Sequence, residues 1–280
     1  MTGIKNLPDL INKHRKKVGR TILEQLSQKH FFNSYKYGVY DLNFKTVGRS
    51  NDQAVQIAFF KTDHFTHLVF RSIYQQLRDD NHEFKEDKPK EFVKKYKPFL
   101  TSFAINCLLI CRNGGNEVVV LNKRSHEITG GSGKYHITMN EGLTDKDKNK
   151  NGKIDLKLCF KRGLEEEIGD QIKESPSQTS ESFLYDNAIN KSFHDFFLDR
   201  NKFEIGLSSS IELNVEYREI EKFLSKDRNK ESDAFFPIPL DKDKISNCIK
   251  QNTFVKHGVY VLDRVLRRKG IIIIDTIGNY

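Results

Sequence analysis

The sequence predicts a mixed α/β fold of the α+β type, and three patterns in the 280-residue chain carry this prediction. Residues 35–47 and 53–60 alternate apolar and polar side chains on either side of the turn-forming stretch 48–52, which is typical of a β-hairpin. The apolar runs 103–111 and 117–122 flank an Asn-Gly pair, which favours a second hairpin. Between residues 156 and 168 an apolar side chain recurs every four positions, the spacing of one helix face.

The length of the chain allows one large domain or two modest ones, each with its own core. Residues 79–98 are dominated by Asp, Glu and Lys and include prolines, so they form the best candidate for a linker. We therefore predict a small N-terminal α/β domain over residues 1–98 and a second domain over residues 99–280.

Two helices are expected in the N-terminal domain. Residues 7–30 carry apolar side chains at helical spacing, and Asp63 is placed to cap a helix that runs through Leu77. The first helix contains the basic run Lys13–Lys17. Such a run usually forms the solvated face of a helix, and contact with nucleic acid or phosphate is the weaker alternative.

The apolar runs, the cysteine spacing and the net charge restrict the class of protein that is expected. No apolar run approaches the roughly 18 residues that a membrane-spanning helix needs, and the N-terminus lacks an apolar signal region, so a cytoplasmic protein without a membrane partner is expected. The four cysteines show no paired C-x-x-C spacing, which argues against a zinc site and a disulfide framework. The net charge of +9 favours polyanionic partners in general.

The helix predicted after Asp155 ends in an unusual concentration of negative charge. Glu165, Glu166 and Glu167 fall in its last turn, before Gly169, where the helix dipole disfavours anions. At helical spacing Glu167 points toward the apolar stripe and Glu166 lies on its flank. A carboxylate aimed at a core needs a partner, which can be a divalent cation or a basic neighbour such as Lys161.

This stretch resembles the Nudix box, the signature of Nudix hydrolases. The positions that match are Arg162, Leu164, Glu166, Glu167 and Gly169, and the positions that depart from it are Gly163, in place of the first glutamate, and Asp170, in place of the last aliphatic residue. The resemblance implies a Nudix-type α/β/α sandwich with a mixed sheet. It also implies that the paired glutamates hold Mg²⁺ or Mn²⁺ against a diphosphate.

The resemblance extends to the segment before the box. In Nudix domains a hairpin precedes the box and its second strand commonly ends in basic residues, as Lys123 and Arg124 do here, so these two are expected to hold substrate phosphates. A short strand up to Met139 leads to the place where the family has a backbone carbonyl in the metal shell. Met139 and Glu141 are therefore metal-ligand candidates, and Glu141 could supply the carboxylate that Gly163 lacks.

The loop between these segments carries a second motif. Residues 147–155 fit the opening of a calcium loop, with oxygen-bearing side chains at alternate positions and Gly152 for the turn, but Leu158 stands where such a loop needs a glutamate. A polar, turn-forming insertion is the alternative. Ile154 occupies the position, eight residues before Arg162, where the box has an isolated glutamate.

The C-terminal part is expected to return to the sheet. A polar surface loop is predicted over 173–182, a helix over 193–198, strands over 203–213 and 234–238, a charged loop over 222–232 and a buried closing strand over 271–274. Glu212, Glu216 or Glu219 could add a ligand or a base, without a preference among them. His257 opens a further helix as a capping or packing residue.

Two functions follow from these features. The first is a metal-dependent hydrolase that cleaves the pyrophosphate of a nucleoside diphosphate linked to another moiety, such as ADP-ribose, NAD or a dinucleotide, with Glu166 and Glu167 as ligands and Arg162 orienting them. The second is a catalytically impaired Nudix domain that binds a nucleotide as a sensor or regulatory module. The expected partner is a nucleotide-type small molecule; a homodimer is a further candidate, and a nucleic acid is the weakest one.

Overall fold

The computed structural model describes residues 7–27, 33–47, 52–80, 97–126, 132–168, 184, 187–221 and 232–273. The chain divides into two compact units. The first comprises Met1–Phe103, Gly142–Asp145 and Leu198–Ile205, and the second comprises Ala104–Glu141, Lys146–Phe197 and Gly206–Tyr280. The domain limits at residues 98 and 99 stay a prediction.

The first unit is built on a helix pair and a hairpin. Its elements are helix α1 (Leu7–Leu26), strands β1 (Tyr35–Val47) and β2 (Asp52–Asp63), and helix α2 (His64–Asp80). β1 and β2 pair antiparallel, with a bulge between Val39 and Asp41. The Asp63 carboxylate accepts a hydrogen bond from the Thr66 backbone N–H at 2.8 Å, which caps α2. The predicted hairpin, the two helices and this cap are confirmed.

The second unit contains the main sheet. Its strands are β3 (Phe103–Asn113), β4 (Asn116–Arg124), β5 (Tyr135–Ile137), β6 (Met139–Gly142), β7 (Ala188–Asp199), β8 (Glu204–Glu216) and β9 (Ser232–Pro239). Within the described residues these strands form one sheet in the order β5-β4-β3-β8-β7, with β6 on β3 and β9 on β4. Its helices are α3 (Leu156–Gly163), α4 (Tyr217–Glu221), α5 (Lys242–Gln251) and α6 (Lys256–Arg268). The predicted mixed α/β fold is confirmed.

The predicted β3–β4 hairpin is confirmed, but its two turn residues are Gly114 and Gly115, since Asn113 pairs with Asn116. Gly114 and Gly115 have φ angles of 59° and 81°, the left-handed conformation that a two-residue hairpin turn requires at both positions. From Phe103 to Cys111 every side chain of β3 is buried, as expected for a central strand covered on both faces. Strands and helices share one apolar core that includes Leu108, Val119, Ile137, Ile245, Val261 and Leu262.

Two predictions for the C-terminal part are wrong. Residues 193–198 belong to strand β7, because backbone and side-chain hydrogen bonds to β8 decide their conformation; the Asp195 N–H donates to Ser208 Oγ at 3.0 Å. Residues 271–273 form no strand. Ile273 is buried and the Ile271 N–H donates to the Leu266 carbonyl at the end of α6, so this segment packs as a helix-ending turn. The strands predicted over 203–213 and 234–238 are confirmed.

Several predicted features lie outside the described residues: most of the linker 79–98, the end of the box at Gly169 and Asp170, the loop 173–182, residues 222–231 and Ile274. Among the helices that the structure describes, none has the length and apolar content to cross a membrane. Cys107, Cys111, Cys159 and Cys248 are free thiols, as the sequence predicted.

Candidate active site at the end of helix α3

Helix α3 begins as the sequence predicts. Asp155 has an extended backbone, with φ −123° and ψ 112°, and its carboxylate accepts a hydrogen bond from the Lys157 N–H at 2.9 Å. The predicted apolar stripe faces the interior, because Phe160, Leu164 and Ile168 are buried. The N-terminal part of the box is therefore an ordinary amphipathic helix.

The end of the box departs from the prediction of one regular α-helix. After Gly163 the backbone widens into a π-helical turn, Leu164–Ile168, which contains the three glutamates. Strand β6 lies close against the preceding turn. A Cβ atom added to Gly163 would stand 2.7 Å from Glu141 Cβ and 2.7 Å from Met139 Sδ. The side chains of β6 thus occupy the space that any side chain at position 163 would enter.

Arg162 donates hydrogen bonds to three carboxylates. Its Nε and one terminal nitrogen donate to the two oxygens of Asp147, each at 2.9 Å, in a two-point contact. The other terminal nitrogen donates to Glu141 at 2.7 Å and to Glu166 at 3.0 Å. The Arg162 side chain is only 11% exposed and that of Asp147 only 1%. We refer to Glu141, Asp147, Arg162 and Glu166 as the Arg162 cluster.

The charges of this cluster stabilise one another. Burial alone would lower the pKa of the Arg162 guanidinium, but its hydrogen bonds to Asp147 and the negative charge of Glu141 outweigh burial and raise that pKa. Burial, together with the charges of Asp147 and Glu141, raises the pKa of the neighbouring Cys159 thiol well above its ordinary value. Arg162 therefore stays charged, and Cys159 stays a neutral packing residue rather than a nucleophile.

The loop 147–155 has the geometry of a polar turn. The Asn149 side-chain oxygen accepts hydrogen bonds from the Asn151 and Lys153 N–H groups, and Gly152 has a φ of 70°. Asp147, the first ligand position in the calcium interpretation, is directed at Arg162. This arrangement favours the alternative of a turn-forming insertion.

The paired glutamates differ in environment, as their helical positions predicted. Glu167 is half-buried, and its carboxylate accepts a hydrogen bond from the Asn140 backbone N–H at 2.9 Å. Glu166 is 45% exposed and also contacts Lys146, with 3.2 Å between the charged atoms. Glu167 is thus tied to strand β6, while Glu166 faces solvent beside Arg162.

The remaining candidates lie on other elements. Lys123 and Arg124 are half-buried at the end of β4, and Arg124 Nε is buried without a hydrogen-bond partner among the described residues. A buried donor of this kind is costly unless a ligand supplies an acceptor. Glu212 contacts Lys269 at 2.8 Å, and Glu216 accepts hydrogen bonds from the β3–β4 turn. Glu219 is half-buried on α4.

Three residues near the site were not assigned to it by the sequence. Asp147 is the main partner of Arg162, and Asn140 holds Glu167 through its backbone. His257 does not cap α6, because the cap residue is Val255 and no side chain caps that end. Its Nε2 instead lies 3.2 Å from Asn140 Nδ2.

The donor set suits a hard divalent cation. Every charged candidate ligand is a carboxylate, and Mg²⁺ prefers oxygen and is commonly held by one or two carboxylates together with water and substrate phosphates. Within the described part of the chain, no three His, Cys, Asp or Glu side chains are arranged to hold a metal ion by themselves. Glu166 and Glu167 supply carboxylate oxygens of the kind that Mg²⁺ or Mn²⁺ prefers, and a cation there would need further ligands.

Comparison with known proteins gives matches in structure alone. No family model and no curated protein matches the sequence. The structure is similar to the Nudix domain of NrtR from Shewanella oneidensis in complex with ADP ribose, at 10% identity and a TM-score of 0.35 over 65% of this chain and 99% of that one. It is also similar to the Nudix hydrolase RenU from M. smegmatis, at 8% identity and 0.35 over 61% and 88% of the two chains. An Ap4A hydrolase from C. elegans matches at 12% identity and 0.34 over 61% and 99%.

Proposed function

We propose that the chain is a metal-dependent hydrolase that cleaves the pyrophosphate of a nucleoside diphosphate linked to another moiety. The observation that carries this proposal is the convergence of Glu141, Asp147 and Glu166 on one guanidinium at the end of α3, with Glu167 on the adjoining turn. Glu165, Glu166 and Glu167 also stand in the last turn of this helix, where the dipole disfavours anions, so a bound cation would stabilise them.

Glu141 takes over the role of the missing box glutamate in this proposal. Its Cβ and Cγ fill the space next to the backbone of Gly163, at 2.7 and 3.0 Å from an ideal Cβ. A carboxylate that enters this region from β6 makes a side chain at position 163 unnecessary. Gly163 then leaves room for Glu141, and Glu141 supplies the carboxylate that the box has at position 163.

The other residues bind and orient. Arg162, which keeps its charge, holds Glu141 and Glu166 in fixed positions, and Asp147 anchors Arg162 through two hydrogen bonds. Lys123 and Arg124 hold substrate phosphates, and Arg124 Nε, which has no hydrogen-bond partner among the described residues, supports this role. Bound Mg²⁺ or Mn²⁺, held by Glu141, Glu166 and Glu167 with the Met139 carbonyl, would supply Lewis-acid stabilisation of the phosphate oxygens. The substrate class follows from the resemblance to the Nudix box.

The test is incubation of the full chain with ADP-ribose, NAD, dinucleoside polyphosphates and nucleoside triphosphates, each with Mg²⁺ or Mn²⁺. We expect release of AMP or phosphate from at least one of them. Glu167→Gln is expected to lower kcat by about 10²- to 10⁴-fold, as the loss of a catalytic carboxylate does. Glu165→Gln is the matched control, because it removes an adjacent glutamate that the box does not use. Equal rates for both variants would contradict the proposal.

A second function is favoured by Gly163 itself. The first box glutamate is absent, and Glu141, which fills its space, is already bound to Arg162. A domain of this kind could bind a nucleotide without turning it over and act as a sensor or regulatory module. Saturable binding of a nucleotide, with no product formed by either the wild type or Glu167→Gln, would support the sensor over the hydrolase.

A further inference from the structure

A chain of buried polar side chains runs from helix α6 to the candidate site. His136 on β5 and His257 on α6 are 1% and 5% exposed, and their Nε2 atoms lie 2.8 Å apart. His257 Nε2 also lies 3.2 Å from Asn140 Nδ2, which donates to Asn106 Oδ1 at 2.7 Å. The backbone N–H of the same Asn140 donates to Glu167. The His136–His257, His257–Asn140 and Asn140–Glu167 contacts therefore connect a buried histidine pair to a candidate ligand, and Asn106 anchors Asn140 from the side.

Asn140 joins the two ends of this chain. Its side chain contacts His257 Nε2 and donates to Asn106 Oδ1, and its backbone N–H donates to Glu167. At the other end, His136 Nδ1 lies 3.2 Å from the Ile137 carbonyl oxygen, so each ring nitrogen of His136 has a polar contact in the interior.

Apolar packing fixes the two rings. Phe197 stacks on His257, with ring centroids 6.3 Å apart and planes inclined by 20°. A Cβ on Gly258 would stand 3.3 Å from His136 Cδ2, so the glycine lets the α6 backbone lie close to this ring. Because these rings are fixed, the Asn140 side chain is held between His257 and Asn106.

We propose that His136 and His257 are positioning residues for Glu167 and act through Asn140. The side chain of Asn140 is anchored by Asn106 and His257, and its backbone N–H orients the Glu167 carboxylate. Loss of the His257 ring nitrogens releases Asn140 and allows the Glu167 carboxylate to turn away. The consequence for metal binding rests on the proposed function, whereas the hydrogen-bonded chain does not.

The test uses His257→Phe, which keeps a ring against Phe197 and removes both nitrogens, and His257→Gln, whose carboxamide can still form hydrogen bonds at this position. Two properties of the full chain are measured: the backbone amide NMR signal of Asn140 and the affinity for Mn²⁺ by titration calorimetry. We expect His257→Phe to shift the Asn140 signal and to weaken Mn²⁺ binding about tenfold, as loss of an outer ligand partner does. His257→Gln is expected to restore both.

The control is His194→Phe, because His194 is a half-buried histidine whose Nε2 lies 2.8 Å from Ser210 Oγ. It should leave the Asn140 signal and Mn²⁺ affinity unchanged. If His257→Phe does not fold, Asn140→Ala, which keeps the backbone N–H and removes its anchor, is expected to weaken Mn²⁺ binding equally. An unchanged Asn140 signal and Mn²⁺ affinity in folded His257→Phe would overturn the inference. Absence of Mn²⁺ binding by the wild type would overturn the proposed function, while the Asn140 signal would still decide the positioning role.

Discussion

Two clusters in the second unit each place two or three carboxylates around one basic side chain. The difference between them distinguishes a candidate site from an ordinary surface. Arg162 is 11% exposed and forms ion pairs with Asp147, Glu141 and Glu166. Lys269 is 23% exposed and forms ion pairs with Glu117 at 3.3 Å and Glu212 at 2.8 Å, and the Glu117 side chain is 53% exposed. Arg162 makes directed hydrogen bonds to the buried Asp147 and the largely buried Glu141, whereas Lys269 makes point-charge contacts of which one lies partly in water.

The two clusters differ in how well the remaining carboxylates can be solvated once the basic side chain is removed. Asp147 has a nearly inaccessible carboxylate, so it cannot recover solvation if Arg162 is lost. Glu117 can recover solvation, because half of its side chain is exposed. Glu212 is 16% exposed and recovers solvation only in part. The lysine cluster therefore adds less to stability than the arginine cluster, in which Asp147 needs Arg162 to remain both buried and charged.

The largest expected effect is that of Arg162→Met. This change keeps much of the side-chain volume but leaves Asp147 buried without its cation, so we expect the free energy of unfolding to fall by about 3–5 kcal/mol. Urea denaturation followed by circular dichroism measures it. Arg162→Lys keeps the charge but loses the two-point contact with Asp147, and a loss of about 1–3 kcal/mol is expected.

The matched control is Lys269→Met. We expect it to cost about 1–2 kcal/mol, because Glu117 is exposed whereas Glu212, only 16% exposed, loses its charged partner. Equal losses for Arg162→Met and Lys269→Met would contradict the distinction between the two clusters. A double mutant should lose the sum of the single losses, because the two clusters share no residue.

A smaller effect on stability is expected from Gly163→Ala, because helix propensity favours this change whereas packing against β6 opposes it. Within a helix this change normally stabilises by about 0.5–1 kcal/mol. At position 163 the new methyl group would stand 2.7 Å from Glu141 Cβ, so we expect a net loss of about 1–3 kcal/mol as β6 moves away. Thermal unfolding measures both the loss and its control.

Gly19→Ala in α1 provides that control. A Cβ at Gly19 would meet Phe65 at 3.8 Å, which is ordinary contact, so this variant is expected to gain stability by about 0.5–1 kcal/mol. A gain in both variants would show that β6 does not restrict position 163, and the exchange of Gly163 with Glu141 would lose its support.

Gly163 also illustrates how far the sequence alone could lead. The helix cap at Asp155, the buried stripe from Phe160 to Ile168 and the Asn-Gly hairpin could be predicted, since each depends on residues a few positions apart in the chain. The same local logic predicted the inward direction of Glu167. Glu141 was expected to replace the glutamate missing at position 163 only from the resemblance to the Nudix box, since no helical offset relates residues 141 and 163.

The residues that the sequence did not assign depend on contacts between distant segments. Asp147 meets Arg162 because a turn of irregular length folds back, and no helical offset relates the two. His257 approaches Asn140 across 117 positions. The strand at residues 193–198 was missed because pairing with β8 overrides a short apolar cluster that also suits a helix. Each of these interactions is a property of the tertiary fold.

The smallest expected effect concerns the pH dependence of the lysine cluster. Burial alone would lower the pKa of Lys269, but its hydrogen bond to Glu212 and the charges of Glu212 and Glu117 outweigh burial, and the pKa is raised. A raised pKa in the folded state contributes stability that is complete below the unfolded value of about 10.4 and disappears as the pH rises through the folded value.

The difference in unfolding free energy between wild type and Lys269→Met should therefore be constant from pH 7 to about 10 and shrink above it. The difference between wild type and Arg162→Met should persist across this window, because the guanidinium keeps its proton. A parallel decline of both differences would place the two cations in the same electrostatic environment, contrary to the comparison of the two clusters.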